Sequence, residues 1–247
     1  IVTFGGGTAI DTVKVLLIVL AHGLAEPKQI DDYHIRVNPD GSRHAPAIKV
    51  PPLRQVVIST TLSAAEFSSL AGCSDPGRGV KDAYSGREIG AASVILDPAV
   101  TVHTPEWLWL STGIRAIDHA VEGLCSIEAS PLVEATALHA LRLLSRSLDK
   151  TKQAPGDLAA RLESQQGAWL SGFAIFKVPF GASHGIGHSL GAVTGMSDAV
   201  SLGEMGSGSK DEEPGAGTPM MIHMLRVLAE AKGGEDLVVA RAAKMDA

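Results

Sequence analysis

The opening stretch, Ile1 to Gly23, constrains the fold more than any other. Ile1-Val2-Thr3-Phe4 reads as the end of a buried strand, and Gly5-Gly6-Gly7-Thr8 follows as a turn. From Asp11 to His22, Val13, Leu16, Leu17 and Leu20 recur at helical spacing, and Gly23 fits a C-cap. A strand that turns through glycines into a helix is a phosphate-binding device. The glycines let the backbone approach a pyrophosphate, and the helix N-terminus offers unpaired N–H groups with partial positive charge. Thr8 adds a hydroxyl. The pattern is not Gly-x-Gly-x-x-Gly, because residue 10 is Ile. On spacing alone, a cradle and a plain tight turn both stay open.

The rest of the chain divides into two parts. Gln55-Val56-Val57-Ile58 and Ser93-Val94-Ile95-Leu96 read as short buried strands, the second closed by Asp97-Pro98. The polar stretch from Asp31 to Pro52 reads mostly as loop. Helical periodicity then dominates, over Pro105–Leu110, Ile114–Ser126, Pro131–Leu148, Leu158–Phe176 and Ala182–Val193. Ser130 is placed as an N-cap, Pro131 as the first helical residue and Glu134 near the capping-box position. A Gly- and Ser-rich charged loop over Gly203–Pro219 and a helix over Met220–Lys232 complete the expectation. The fold class is therefore α/β followed by all-α, with a boundary near Asp97–Pro105: a nucleotide-binding domain over residues 1–100 and a helical domain over 101–247.

Composition removes several function classes. The formal charge of −6 opposes binding by phosphate neutralisation, and 4% aromatic residues leave little for base stacking, so no nucleic-acid partner is expected. Cys73 and Cys125 cannot make a disulfide scaffold, which favours the cytoplasm. The longest apolar run, Val13 to Leu20, is too short to span a bilayer, and no membrane partner is expected. The chain begins at Ile1, in mid-strand. A further N-terminal half of the nucleotide-binding region, or a homodimer partner, is expected to cover the apolar strand edge this exposes.

Gly5-Gly6-Gly7-Thr8-Ala9-Ile10-Asp11-Thr12-Val13-Lys14 resembles the Gly-Gly-Gly-Ser-x-x-Asp-x-Ala-Lys signature of the iron-containing alcohol dehydrogenases. Ser59-Thr60-Thr61-Leu62-Ser63-Ala64-Ala65-Glu66 resembles that family's Thr-Thr loop, in a shortened form similar to the maleylacetate reductase branch. Val94 to Pro98 resembles its domain junction, and Trp107 to Glu122 and Gly181 to Ala192 resemble its two helical-domain motifs. The matches run in order from Gly5 to about Ala192. The resemblance implies a dehydroquinate synthase-like architecture, a partial dinucleotide-binding domain followed by a helical domain. It implies NAD(H) or NADP(H) as cofactor, held by Gly5, Gly6, Gly7, Thr8, Asp11, Thr60, Thr61, Ser63 and Lys81, and a small-molecule carbonyl or alcohol as substrate.

The resemblance also raises a metal question. Metal-dependent members hold Fe2+ or Zn2+ with one Asp and three His, and the metal acts as a Lewis acid on the substrate oxygen. Here the Asp position is Arg115, the first His is His119, the next is His184, and the last is Asp198. A degenerate set of His119, His184 and Asp198 is what remains for a metal. Asp118 is turned about 100° from His119 around the helix. Arg115 is a fixed cation where a dication should sit, so a metal-independent site is expected, with Arg115 polarising the carbonyl. His184 and His188 lie one turn apart and share a helix face; His188 is the expected proton donor or relay, with His184, His119 and Arg115 completing the catalytic set. Three readings stay open: a metal-independent NAD(P)H-dependent reductase of maleylacetate-like or oxo-acid compounds; a repurposed enzyme doing acid–base or cyclisation chemistry; and a non-catalytic homologue.

Overall fold

In the computed structural model, residues 1–184 are described apart from 39, 41, 76, 77, 79 and 182. The helix expected over Ala182–Val193 lies almost wholly outside them, and the segments expected after Gly203 lie entirely outside. Strand β1 (Val2–Gly5) leads through the glycine turn into α1 (Gly7–His22). Gly23 closes α1 in the left-handed conformation, φ 64°, donating its N–H to the Val19 carbonyl. A 3-10 turn over Pro27–Tyr33 and a small pair, β2 (Arg36–Val37) with β3 (Arg43–His44), interrupt the stretch expected to be loop. Next come β4 (Val56–Ser59), an antiparallel hairpin of β5 (Leu70–Asp75) and β6 (Val80–Ser85), and β7 (Ser93–Ile95). The expectation drawn from sequence had no hairpin here.

The central sheet is parallel, in the order β1-β4-β7. Gly5 pairs in register with Ser59, so the glycine turn and the Thr-Thr loop leave the same carboxyl edge side by side. That edge is where open α/β sheets bind ligands. One face of the sheet packs on α1. The buried face of α1 is Ile10, Lys14, Leu17 and Ile18, rotated from the expected stripe, and Leu16 and Leu20 remain exposed. Val2 and Phe4 on edge strand β1 are 67% and 61% exposed, so that apolar surface is bare among the described residues.

After β7 the chain is helical: α2 (Pro98–Thr101), α3 (Glu106–Cys125), α4 (Pro131–Gln153) and α5 (Leu158–Ile175). Three of these four starts, those of α2, α4 and α5, are capped by a side chain. The Asp97 carboxylate accepts the Ala99 N–H, the Ser130 hydroxyl accepts the Val133 N–H, and the Asp157 carboxylate accepts from Ala159 and Ala160. The two helices expected over Pro105–Leu110 and Ile114–Ser126 are one continuous helix, because Gly113 serves packing instead of a break. A Cβ there would lie 2.5 Å from the Leu148 side chain, so α3 and α4 meet where it is missing. Leu62, Trp109, Ala116, Leu144, Leu148 and Ala168 form a core that joins the Thr-Thr loop to the helices. The Leu62 N–H donates to Thr112 Oγ1 (3.1 Å), and Thr104 Oγ1 donates to the Thr60 carbonyl (2.7 Å), so α3 and the link that precedes it hold this loop.

Candidate functional site

The first half of the site is the glycine turn with its neighbouring loop. Gly5 has φ +154°, a conformation that L side chains rarely adopt. A Cβ on Gly6 would meet Thr61 Cγ2 at 2.7 Å, and one on Gly7 would meet Ser63 Oγ at 3.0 Å. The two loops therefore touch, and the hydroxyls of Thr61 and Ser63 border the start of α1. That helix has no side-chain cap and no acidic residue in its first turn, so its leading N–H groups and positive end are not neutralised from within. Unneutralised N–H groups, absent Cβ atoms and adjacent hydroxyls fit the pyrophosphate of a dinucleotide. Thr8 is exposed beside them and Thr60 is half-buried. The Asp11 carboxylate is engaged elsewhere, accepting the Gly72 N–H at 3.0 Å and pairing with Lys14 at 3.3 Å. Lys81 lies on β6 opposite Ser74.

The second half stands on α3. Arg115, Asp118, His119 and Glu122 occupy positions i, i+3, i+4 and i+7, which share an arc of about 100° at 100° per residue. Arg115 Nη1 donates to Asp118 Oδ2 at 3.2 Å. Glu122 accepts three N–H groups: the backbone of Gly181 and of His184, each at 3.1 Å, and Nδ1 of His184 in a short contact. The His184 ring stacks on His119 at 5.2 Å between centroids and on Phe180 at 4.5 Å. Arg115, His119, Glu122 and His184 are all buried.

Burial sets the charges of this cluster, and the neighbours modify them. Burial pushes the Glu122 carboxyl up, but the His184 ring and the two backbone N–H groups outweigh it and hold it below the ordinary carboxylate value. Asp118 is raised by burial against the opposing pull of Arg115. His119 lies well below its ordinary value, through burial first and then the charges of Arg115 and His184, so its imidazole is neutral. Its Nδ1 is buried without a hydrogen-bond partner among the described residues.

Of the residues singled out in the sequence, the structure brings Arg115, His119 and His184 together. His188 and Asp198 lie outside the described residues. Two members were missed. Asp118, read as turned away from His119, has a carboxylate within 3.9 Å of His184 Nδ1. An arc of one α3 face takes in i+3 as well as i+4, which is the reason. Glu122 was quoted in a motif but given no role; an acid at i+7 from Arg115 on a buried apolar helix was the available signal.

Asp118, Glu122 and His184 offer metal-ligand atoms within 4.8 Å of one another, a different set from His119, His184 and Asp198. They do not fit the family's metal centre. Arg115, expected at a ligand position, donates to Asp118, and Glu122 Oε2 and His184 Nδ1 are committed to each other. A dication would meet a guanidinium across this cluster.

A glycine turn at the carboxyl edge of a parallel sheet, joined to a helical half with a buried Arg–His cluster, defines a dehydrogenase-type architecture. The description "Iron-containing alcohol dehydrogenase" matches residues 1–98, and "Fe-containing alcohol dehydrogenase family, C-terminal" matches residues 109–203. The chain belongs to the iron-containing alcohol dehydrogenase family and is similar to its maleylacetate reductase branch. A dehydrogenase of Alternaria alternata is 32% identical over 211 residues, covering 77% of this chain and 52% of the relative. A maleylacetate reductase of Pseudomonas sp. (strain P51) is 33% identical over 144 residues, 58% of this chain and 40% of that one. The crystal structure of maleylacetate reductase from Agrobacterium tumefaciens superimposes with a TM-score of 0.62 at 26% identity, covering 81% of this chain and 48% of that chain. The chain thus spans about half the length of the curated relatives it matches. Among the described residues, no single helix is long and apolar enough to cross a membrane.

Proposed function

We propose that this chain carries the cofactor and substrate sites of an NAD(P)H-dependent reductase of small carbonyl compounds that works without a metal. The observation that carries the proposal is the buried cluster in which Arg115 donates to Asp118 while Glu122 holds the His184 ring. The bound dihydronicotinamide would supply a hydride to the carbonyl carbon. Gly5, Gly6, Gly7, Thr61 and Ser63 would seat its pyrophosphate. Arg115 would face the substrate oxygen, where a preorganised cation in a water-poor site stabilises the charge that develops. The similarity to maleylacetate reductases favours an oxo acid as substrate.

Proton delivery falls to the histidine pair. With Nδ1–H donated to Glu122, His184 directs Nε2 away from that carboxylate, and His188 is the proposed donor to the nascent alkoxide. The neutral, stacked His119 walls the site without adding a second cation. Turnover is followed as loss of dihydronicotinamide absorbance with a small oxo acid. His188→Ala should cut turnover sharply while nucleotide binding survives; unchanged turnover removes His188 from the role. Absence of any nucleotide binding would favour acid–base chemistry on the same scaffold.

A further inference from the structure

Lys14 is fully buried on α1, yet no nearby catalytic group uses it. Its ammonium donates to the carbonyls of Ala65 (2.7 Å) and Leu70 (2.6 Å) and to the Ser68 hydroxyl (3.1 Å), and lies 3.3 Å from Asp11 Oδ1. The other Asp11 oxygen takes the Gly72 N–H. Lys14 follows Gly7 by seven residues, two helical turns, so both lie on one face of α1. That face carries the loop along its length. At the top, a Cβ on Gly7 would meet Ser63 and Ala65, so the loop lies close there; two turns lower, Lys14 gathers the loop's far end. Between them Ala64 sits in the left-handed region, φ 60°, a conformation that persists only where surrounding contacts impose it.

We infer that Lys14 is a positioning residue for the nucleotide: by gathering the loop from Ala65 to Leu70 onto α1, it fixes Thr61 and Ser63 against the glycine turn and so shapes the pyrophosphate seat. It makes no contact with the ligand. The effect on nucleotide rests on the proposed function; the hold on the loop does not.

The test measures two quantities on the whole chain. Deuterium uptake is recorded without ligand over residues 61–72 and over α4, and NADH and NADPH affinity is titrated by fluorescence. Lys14→Met should raise uptake over 61–72 and leave α4 unchanged. It should weaken nucleotide binding by about tenfold or more, with a much smaller change in kcat at saturating nucleotide. Ser68→Ala, which removes one acceptor, should give smaller changes of the same kind and covers the case in which Lys14→Met fails to fold. Unchanged uptake over 61–72, or raised uptake with unchanged nucleotide affinity, overturns the inference. A wild-type chain that binds neither nucleotide refutes the proposed function instead, and the exchange result then decides whether Lys14 holds the loop.

Discussion

Replacing Glu122 with Gln isolates the electrostatic part of the site. The side chain keeps its volume, but one oxygen becomes an N–H2 donor facing N–H groups from Gly181 and His184. A hydrogen bond to a charged group contributes about 1.5–3 kcal/mol, and a buried donor left unpaired costs about 1–3 kcal/mol. Glu122→Gln should therefore destabilise the fold by roughly 2–4 kcal/mol, seen as an earlier transition in urea. If the ordered His184 tautomer supports turnover, losing about 1.5–3 kcal/mol in the transition state lowers kcat/KM about ten- to a hundredfold. The linkage sign follows from the depressed carboxyl. Its stabilisation is complete above the ordinary value of 4.5 and is lost as pH falls below it through the folded value. The wild type should lose stability below that point more steeply than Glu122→Gln. Imidazole nitrogen NMR reads the tautomer directly. Wild-type kcat/KM in Glu122→Gln, together with an unchanged His184 nitrogen spectrum, would refute the reasoning.

Three further outcomes are expected. Gly6→Ala places a methyl 2.7 Å from Thr61 Cγ2, so the loops must separate; nucleotide affinity should fall at least about tenfold, for a fold cost of about 1–3 kcal/mol measured in urea. His119 keeps a depressed value in the fold, so the unfolded chain takes up its proton first as pH drops below 6.5; wild-type stability should decline on that acid side, and His119→Gln should flatten the decline in a melting series. Arg115→Gln should reduce kcat for an oxo-acid substrate by about a hundredfold, with nucleotide affinity retained in a fluorescence titration.

The strand–turn–helix unit and the helix start at Ser130 were legible because each rests on local chemistry: glycine geometry and capping. The grouping of Arg115 and His119 with the distant His184 came from the resemblance to the family's motifs. Lys14 was not. In an apolar run it looks like a solvent-facing interruption, and only the loop that folds back over α1 supplies acceptors to bury it. The hairpin of β5 and β6 was missed because its pattern of small and charged residues, Leu70 to Ser85, lacks the apolar alternation that marks a strand. Glu122 escaped for a third reason: its partners come from Gly181 and His184, far along the chain.

The central claim is hydride transfer to a carbonyl at a cluster with Arg115 in place of a metal ligand. The most direct measurement uses chelator-treated, metal-free protein with NADH or NADPH deuterated at the reactive carbon and a small oxo acid. The account predicts that reduction persists and that deuterium appears on the carbinol carbon of the product. Activity that vanishes on chelation and returns with added Fe2+ or Zn2+ would contradict it.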